Sequence, residues 1–487
     1  MRTKLSCTLG PATDSDDIMS ALLRAGMSVA RLNLSHGTHE DHARRAEAVR
    51  RLAADLGAHL AVMADLQGPK FRLGALPDEG LAVAAGSTIV LDGDALATPL
   101  PGARLPFPHP EVITACLPGQ RLLIDDGSLE LRVTGREGAG ALTCEVVTAG
   151  TLSSRKGVSV PGLRLAMSAI TEKDRADVAF ACGLGVDALA LSFVQRGADV
   201  DELRRLARSH GADPLLVAKI ERPQALEDLA AIVAASDVLM VARGDLGVEC
   251  PIEDVPLHQK RIIRAGLAAG VPVMTATQVL QSMVHSPVPT RAEASDIANA
   301  VFDGTDSIML SAETAVGDHP VATVEALARI ARRAEDDAMS RSSFFADDAF
   351  LAADGMPTPD RATAAITRAA VRVASEVGAR VIACTTSSGR TPRMVARHRP
   401  DQIVLALTPS ERAHRLAAFT WGVRSVLGPL PERTQQVFDH AASTAVSLGL
   451  AQPAEPIVIT ASFPLDQGTG HTNLIEVHSV PSARRSP

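Results

Sequence analysis

One alternation, repeated eight times, limits what this chain can become. Each time, a short apolar, β-rich run is followed by a polar turn and then by a longer stretch of helical period. The runs that read as strands are Ser6–Leu9, Val29–Asn33, Leu60–Asp65, Ala188–Phe193, Leu215–Ile220, Val238–Ala242, Val273–Ala276 and Ser307–Leu310. The stretches that read as helices are Asp14–Ala25, His39–Leu56, Lys173–Cys182, Val200–His210, Gln224–Ala234, Pro256–Ala269, Arg291–Phe302 and Val321–Met339. Such an alternation calls for parallel strands joined by helical crossovers, and eight units suit a closed (β/α)8 barrel. A doubly wound open sheet is the competing arrangement, and the period alone does not exclude it.

The third unit is interrupted. After Asp65 the texture turns to Gly, Pro and alternating apolar residues (Gly86–Leu91, Gln120–Ile124, Ser128–Val133, Leu142–Thr148), which reads as an all-β domain inserted in a βα loop. Inserted there, it lies over the mouth where such barrels keep their active sites. Ser340–Arg361 reads as a linker, and a βα pattern then resumes in helix Ala362–Val377, strand Val381–Thr385, helix Pro392–Arg399, strand Ile403–Leu407 and helix Glu411–Phe419. The expected organisation is a barrel over 1–68 and 168–340, a lid over 69–167, and a C-terminal α/β domain over 345–480. The last residues, SVPSARRSP, read as a frayed tail.

Composition removes several functions. With 48 Lys and Arg against 56 Asp and Glu, the formal charge is −8, a poor balance for holding nucleic acid. Aromatics are 2% of the chain, with no Tyr, so base-stacking platforms lack material. The six cysteines are scattered without a C-x-x-C pair, which argues against a zinc or thioredoxin-like motif. With no leader in MRTKLSCTLGPAT and no apolar stretch of spanning length, a cytoplasmic, membrane-free protein is expected.

Polar residues gather at the carboxyl ends of five of the eight runs. Arg31, Asn33 and Ser35 fall at i, i+2 and i+4 and so point one way from an extended segment. Lys219 and Glu221 flank Ile220, the sixth run ends in Arg243-Gly244-Asp245, the seventh in Thr275-Ala276-Thr277-Gln278, and the eighth in Ser311-Ala312-Glu313-Thr314. Two carboxylates from neighbouring strands, Glu221 and Asp245, suit magnesium, which takes one or two carboxylates plus waters and substrate oxygens. Arg31 and Lys219 suit a phosphoryl group and charge developing on an oxygen. Together they suggest phosphoryl transfer on a small anion. The plainer readings are a surface ion pair for Lys219 and Glu221, and a turn closed by Asp245. No P-loop, H-E-x-x-H or dinucleotide fingerprint is present.

Nine motifs, in order from about residue 3 to residue 478, resemble the pyruvate kinase family. They are TLGPAT (Thr8–Thr13), GMSVARLNLSHG (Gly26–Gly37), DLQGPKFRLG (Asp65–Gly74), RKGVSVPG (Arg155–Gly162), KIERP (Lys219–Pro223), VARGDLGVE (Val241–Glu249), TATQ (Thr275–Gln278), PTRAEASDIANAVFDGTDSIMLSAETAVG (Pro289–Gly317) and TNLIEV (Thr472–Val477). The resemblance implies transfer of a phosphoryl group from phosphoenolpyruvate to ADP, giving pyruvate and ATP. It implies that Lys219 stabilises the enolate and the transferring group, and that Glu221 and Asp245 hold Mg2+ or Mn2+. Arg31, Lys219, Gly244, Asp245 and Thr277 are implied for phosphoenolpyruvate, and Asn33, Ser35, His36, Arg72 and Lys156 for the nucleotide. Thr277 and Ser311 fall in the proton-relay region, the donor being unassigned. A homotetramer is implied as well.

One departure stands out. Many members bind K+ through residues matching Asn33, Ser35, Asp65 and the Leu66 carbonyl, with a Glu in a GPEIR-type segment. Here the segment is GPKFR, and Lys70 holds that position. Its ammonium is a compact single charge, so K+ is expected not to be required; the alternative is a Lys70 that merely faces solvent at the lid hinge. Ala312 stands where many members have Gly, a conservative change. Thr385-Thr386-Ser387-Ser388-Gly389-Arg390-Thr391 follows a strand and opens a helix, as at the family's site for sugar-phosphate or nucleotide effectors, or as an ordinary capped turn. Two other readings compete: a metal-dependent lyase or aldolase, which does not need an insertion bearing Arg72 and Lys156, and a catalytically dead metabolite-binding regulator.

Overall fold

The computed structural model describes residues 1–94, 104–125, 127–164, 168–340, 361–431, 433–463 and 472–480. Eight parallel strands close into a barrel: Lys4–Leu9, Met27–Asn33, Ala61–Asp65, Ala188–Leu191, Leu215–Ile220, Val238–Ala242, Val273–Ala276 and Ser307–Leu310. Each pairs with the next in sequence, and Ser307 of the last stands opposite Lys4 of the first. The ring leaves no edge, so the open-sheet alternative is excluded.

Two apolar layers follow from the period of two along each strand. Val29, Met63, Ala190, Val217, Met240, Met274 and Met309 fill the interior. The alternate positions, among them Ala30, Val62, Leu189, Leu216, Leu239, Val273 and Ile308, pack outward against the helices. Several helices open on a reciprocal cap: Thr38 with Asp41, Thr171 with Asp174 and Thr290 with Glu293.

Several sequence expectations shift. The fourth strand stops at Leu191 because Phe193 takes φ 55°, which no strand tolerates. The helix expected at Gln224–Ala234 is two, Pro223–Glu227 and Leu229–Ala235, broken at Asp228, whose carboxylate accepts instead from the Gly197 N–H. The insertion is not all-β. It has a six-stranded sheet, a two-stranded sheet pairing Leu81–Val83 with Gly150–Leu152, and a helix at Pro110–Ala115 with proline at its first position. Its core is its own, built around Phe107, Leu91, Leu122 and Val133. The expected linker at 341–360 lies outside the described residues, as does the tail from 481.

The last part of the chain forms a five-stranded sheet in the order Val423–Leu427, Ile403–Thr408, Val381–Thr385, Pro456–Ala461, Leu474–Ser479, parallel except for the last strand. The helices expected at Pro392–Arg399 and Glu411–Phe419 are shorter, Arg390–Ala396 and Glu411–Leu416. The end of the second one and the residues after it close the barrel floor: Leu416, Ala418 and Phe419 join its inner core.

Charge fastens the same junction. Asp187, Asp237 and Asp306 each precede a barrel strand, and each accepts a neighbouring strand's N–H, from Val62, Leu216 and Val273. Each also meets an arginine from the C-terminal part: Arg415 at 3.0 Å, Arg412 at 2.7 Å and Arg399 at 3.1 Å. The Arg399–Asp306 pair is the most buried, with both side chains 6% exposed. Removing one partner of such a pair strands the other charge. Asp306→Ala is therefore expected to cost about 3–5 kcal/mol, seen as a lower urea midpoint, whereas Glu376→Ala, at an exposed pair with Arg372, should change it by under about 0.5 kcal/mol.

Candidate active site

The alternation that fills the barrel interior also sets its mouth. Counting by two from the interior residues Val29, Met63, Ala190 and Val217 arrives at Arg31, Asp65, Ser192 and Lys219. These polar side chains therefore face one another in the same enclosed space, and they are joined in series. Arg31 donates to Asp65 Oδ2 from Nε at 2.7 Å and, from Nη1, to Thr8 Oγ1 at 3.0 Å. Asp65 Oδ1 lies 3.2 Å from Lys219 Nζ, which is 2.9 Å from Glu221 Oε1. The result is a buried run of alternating charge, not a surface ion pair.

Burial acts against every charge in that run, and the neighbours decide the outcome. Burial would raise the Asp65 carboxyl, but Lys219 and Arg31 outweigh it and hold it below its ordinary 3.8. Burial would lower the Lys219 ammonium, but Asp65 and Glu221 raise it, so it stays charged. Glu221 is pushed up by burial and by Asp245, against the pull of Lys219. A carboxyl raised beside a second carboxylate is a place where added positive charge is favoured. Glu221 and Asp245 thus fit a divalent cation, with substrate and water oxygens completing its shell. Among the described residues no group of three or more His, Cys, Asp or Glu gathers as a fuller metal cage.

The loops above carry the other expected residues. Gly244 is the second residue of the short helix Arg243–Glu249, and its N–H donates to Thr277 Oγ1 at 2.7 Å. Thr277 and Gln278 sit in the left-handed region at φ 67° and 52°. Ser35 is in a turn and not in the extended run expected of it; its N–H donates to Asn33 Oδ1. The His36 ring is pushed below its ordinary 6.5 by burial and then by Arg72, Arg31 and Lys70, so these cations share its surroundings. Lys70 Nζ lies 3.6 Å from Asp245 Oδ1, and its side chain is half-buried.

Other expected residues are not drawn into this run. Lys156 pairs with Asp125 within the insertion at 2.8 Å, and Ser311 N–H donates to Glu313. The loop at 385–391 belongs to the C-terminal sheet; there Gly389, at φ 75°, donates to Thr386 Oγ1, and Thr391 bonds Thr472.

Sequence reasoning missed Ser192. Its hydroxyl accepts from Lys219 Nζ at 2.7 Å and donates to the Leu66 carbonyl at 2.6 Å, while the next N–H, Phe193, donates to Glu221 Oε2 at 2.6 Å. The signal was present in the inward parity of the fourth run, whose first polar residue is Ser192. The turn is tightly packed: a Cβ on Gly68, at φ 68°, would come within 2.9 Å of both Ser192 and Phe193.

The Asp65 charge has a measurable pH signature. Its pKa is depressed on folding, so its stabilisation is present above about pH 3.8 and is lost as pH falls through the folded value. Asp65→Asn leaves Arg31 and Lys219 under-compensated. Urea titrations are expected to show it about 3 kcal/mol less stable than wild type at pH 7, with the gap closing below about pH 4.

Comparison with known proteins identifies the family. Residues 1–324 match the family model "Pyruvate kinase, barrel domain", and residues 364–478 match "Pyruvate kinase, alpha/beta domain". The chain is 44% identical over 479 residues to a pyruvate kinase of Agrobacterium vitis, covering 98% of both chains. It is 41% identical to that of Geobacillus stearothermophilus, covering 98% of this chain and 80% of the other. A crystal structure of a pyruvate kinase from Cryptosporidium parvum superposes with a TM-score of 0.89 at 32% identity, over 99% of this chain and 96% of that one. No described helix is long and apolar enough to cross a membrane. An enclosed barrel mouth lined by cations beside two carboxylates, under a β-rich insertion, thus meets a match along nearly the whole length, and the chain belongs to the pyruvate kinase family.

Proposed function

We propose that the Arg31–Asp65–Lys219–Glu221 run is the phosphoryl-transfer centre of this enzyme. The family transfers the phosphoryl group of phosphoenolpyruvate to ADP, the last step of glycolysis, and generally uses Mg2+ and K+. The observation that carries the assignment is the Lys219 ammonium, kept charged by two carboxylates in a buried mouth. As the bond from phosphorus to the enol oxygen breaks and one to an ADP oxygen forms, negative charge collects on the enolate. Lys219 and Arg31 stabilise that charge where little water competes. Asp65 orients both cations. Glu221 and Asp245 would hold a divalent ion, which would supply further positive charge to the phosphoryl oxygens. Gly244 and Thr277 bind phosphoenolpyruvate, and His36 and Arg72, with Asn33, Ser35 and Lys156, meet the nucleotide beneath residues 69–167 acting as lid. The enolate carbon is then protonated, Thr277 and Ser311 belonging to that region. A sugar-phosphate or nucleotide effector is assigned to the 385–391 loop.

Lys70 replaces K+ in this reading. Three of the four groups expected around K+ already have protein donors: Asp65 is held by Arg31 and Lys219, the Leu66 carbonyl accepts from Ser192, and Asn33 accepts from the Ser35 N–H. The Lys70 ammonium reaches the same mouth at Asp245. Together these support a centre that works on Mg2+ without K+.

Pyruvate formation from phosphoenolpyruvate and ADP with Mg2+, in buffer whose monovalent cation is tetramethylammonium, tests the assignment. High activity is expected. Activity only after K+ is added would keep the reaction and remove Lys70 from it, and silence under both conditions from folded protein would reopen the lyase and regulator readings. Lys70→Glu is expected to be slow until K+ is supplied; a variant indifferent to K+ would refute the replacement.

A further inference from the structure

Arg243 stands in the motif around Asp245, yet the chemistry above gives it no task. Its side chain is 10% exposed and makes an unusual set of bonds. Nη1 donates to both oxygens of Asp296, at 2.8 and 2.7 Å. Nε and Nη2 donate to the Thr277 carbonyl at 3.2 and 2.9 Å, and Nη2 also reaches the Gln278 carbonyl at 3.1 Å.

Those two carbonyls belong to the consecutive left-handed residues, φ 67° and 52°. Neither threonine nor glutamine adopts that backbone without cost, so something outside the turn must hold it. One fixed, planar guanidinium with several donors is suited to that task, and an ammonium, a point charge, is not. The consequence reaches the Thr277 hydroxyl. Thr277 Oγ1 accepts from the N–H of Gly244, the residue next to Arg243, and donates to the Ala276 carbonyl at 2.6 Å. Arg243 and Gly244 therefore grip one residue at both its carbonyl and its hydroxyl. Asp296, on helix Arg291–Asp303, anchors the guanidinium from the far side. Glu313, on the short helix Ala312–Ala315 after the eighth strand, ties the same loop by accepting from the Leu280 N–H.

We propose that Arg243, braced by Asp296, is the positioning residue that holds the strained Thr277–Gln278 turn and so aims the Thr277 hydroxyl at the substrate. This rests on the reading of Thr277 as a substrate-binding residue. Arg243 acts through Thr277 and touches no reacting atom.

A double-mutant cycle with Arg243→Ala and Thr277→Ala, read as kcat and KM for phosphoenolpyruvate, tests it. Each single variant is expected to lower kcat/KM about 10- to 100-fold, and the double variant to be no worse than Thr277→Ala alone. Millimolar guanidinium should restore Arg243→Ala saturably while leaving Arg243→Ala/Thr277→Ala unchanged, a response that a general loss of packing would not give. If Arg243→Ala does not fold, Arg243→Lys, which keeps a charge opposite Asp296 but loses the fork, takes its place and should show the same non-additivity. Losses that multiply in the double variant would overturn the proposal, as would full activity in Arg243→Ala while Thr277→Ala is impaired. Full activity in Thr277→Ala would instead remove the reading of Thr277 itself, and the proposal with it.

Discussion

Four charges buried side by side govern this molecule. Arg31, Asp65, Lys219 and Glu221 alternate in sign, and each is tolerable in the interior only because of the next. Asp65 is the pivot. It is 1% exposed, contacts cations on both sides, and sits where the chain leaves the barrel for the insertion. Reactivity follows from the same arrangement, since an ammonium held charged away from water is most effective against charge that develops during reaction.

The two ends of the barrel use charge differently. At the floor, Asp187, Asp237 and Asp306 cap neighbouring strands and meet arginines of the C-terminal part, and the apolar plug of Leu416 and Phe419 closes the interior above them. Those pairs serve attachment, although burial pushes the Asp187 carboxyl up despite Arg415. At the mouth, burial pushes the Glu221 carboxyl up, with Lys219 pulling against it and Asp245 adding to it, an arrangement that an added cation would relieve. Conserving structure at one face and concentrating chemistry at the other is the division expected of this barrel.

The barrel was legible because each strand is apolar on both faces and each helix is not, a contrast that survives in sequence. The charge run was legible in part. Arg31, Lys219 and Glu221 stand out as polar residues ending apolar runs. Ser192 did not, because a serine after ALAL looks like the ordinary end of a strand and its bonds to Lys219 and Leu66 exist only once three strands are side by side. Phe193 was read as strand for the same reason: its left-handed backbone is imposed by Glu221 accepting its N–H and by the contact with Gly68, neither of them local. Asp228 shows the converse, a helix propensity overruled because its carboxylate serves the Gly197 N–H of a neighbouring loop. The helix at Pro110–Ala115 carries its signal in Pro110, which reads as a strand breaker unless a helix is looked for.

These misses share a cause that also explains why the site holds its shape. Inward positions are assigned by parity along a strand, but a polar group arriving there must find its partner on an adjacent strand. Around the mouth the partners therefore pass from strand to strand: Thr8 to Arg31, Arg31 to Asp65, Asp65 to Lys219, with Ser192 bridging Lys219 to the segment after Asp65. Neither Arg31 nor Asp65 can change its charge without stranding a neighbour on a different strand. The order of neighbouring strands from Lys4–Leu9 to Leu215–Ile220 is what brings the partners within reach, so the fold is a condition of the site's electrostatics as well as its scaffold. Parting the strand that bears Arg31 from the one that bears Asp65, or the strand that bears Ser192 from either of its neighbours, would leave at least one buried charge alone.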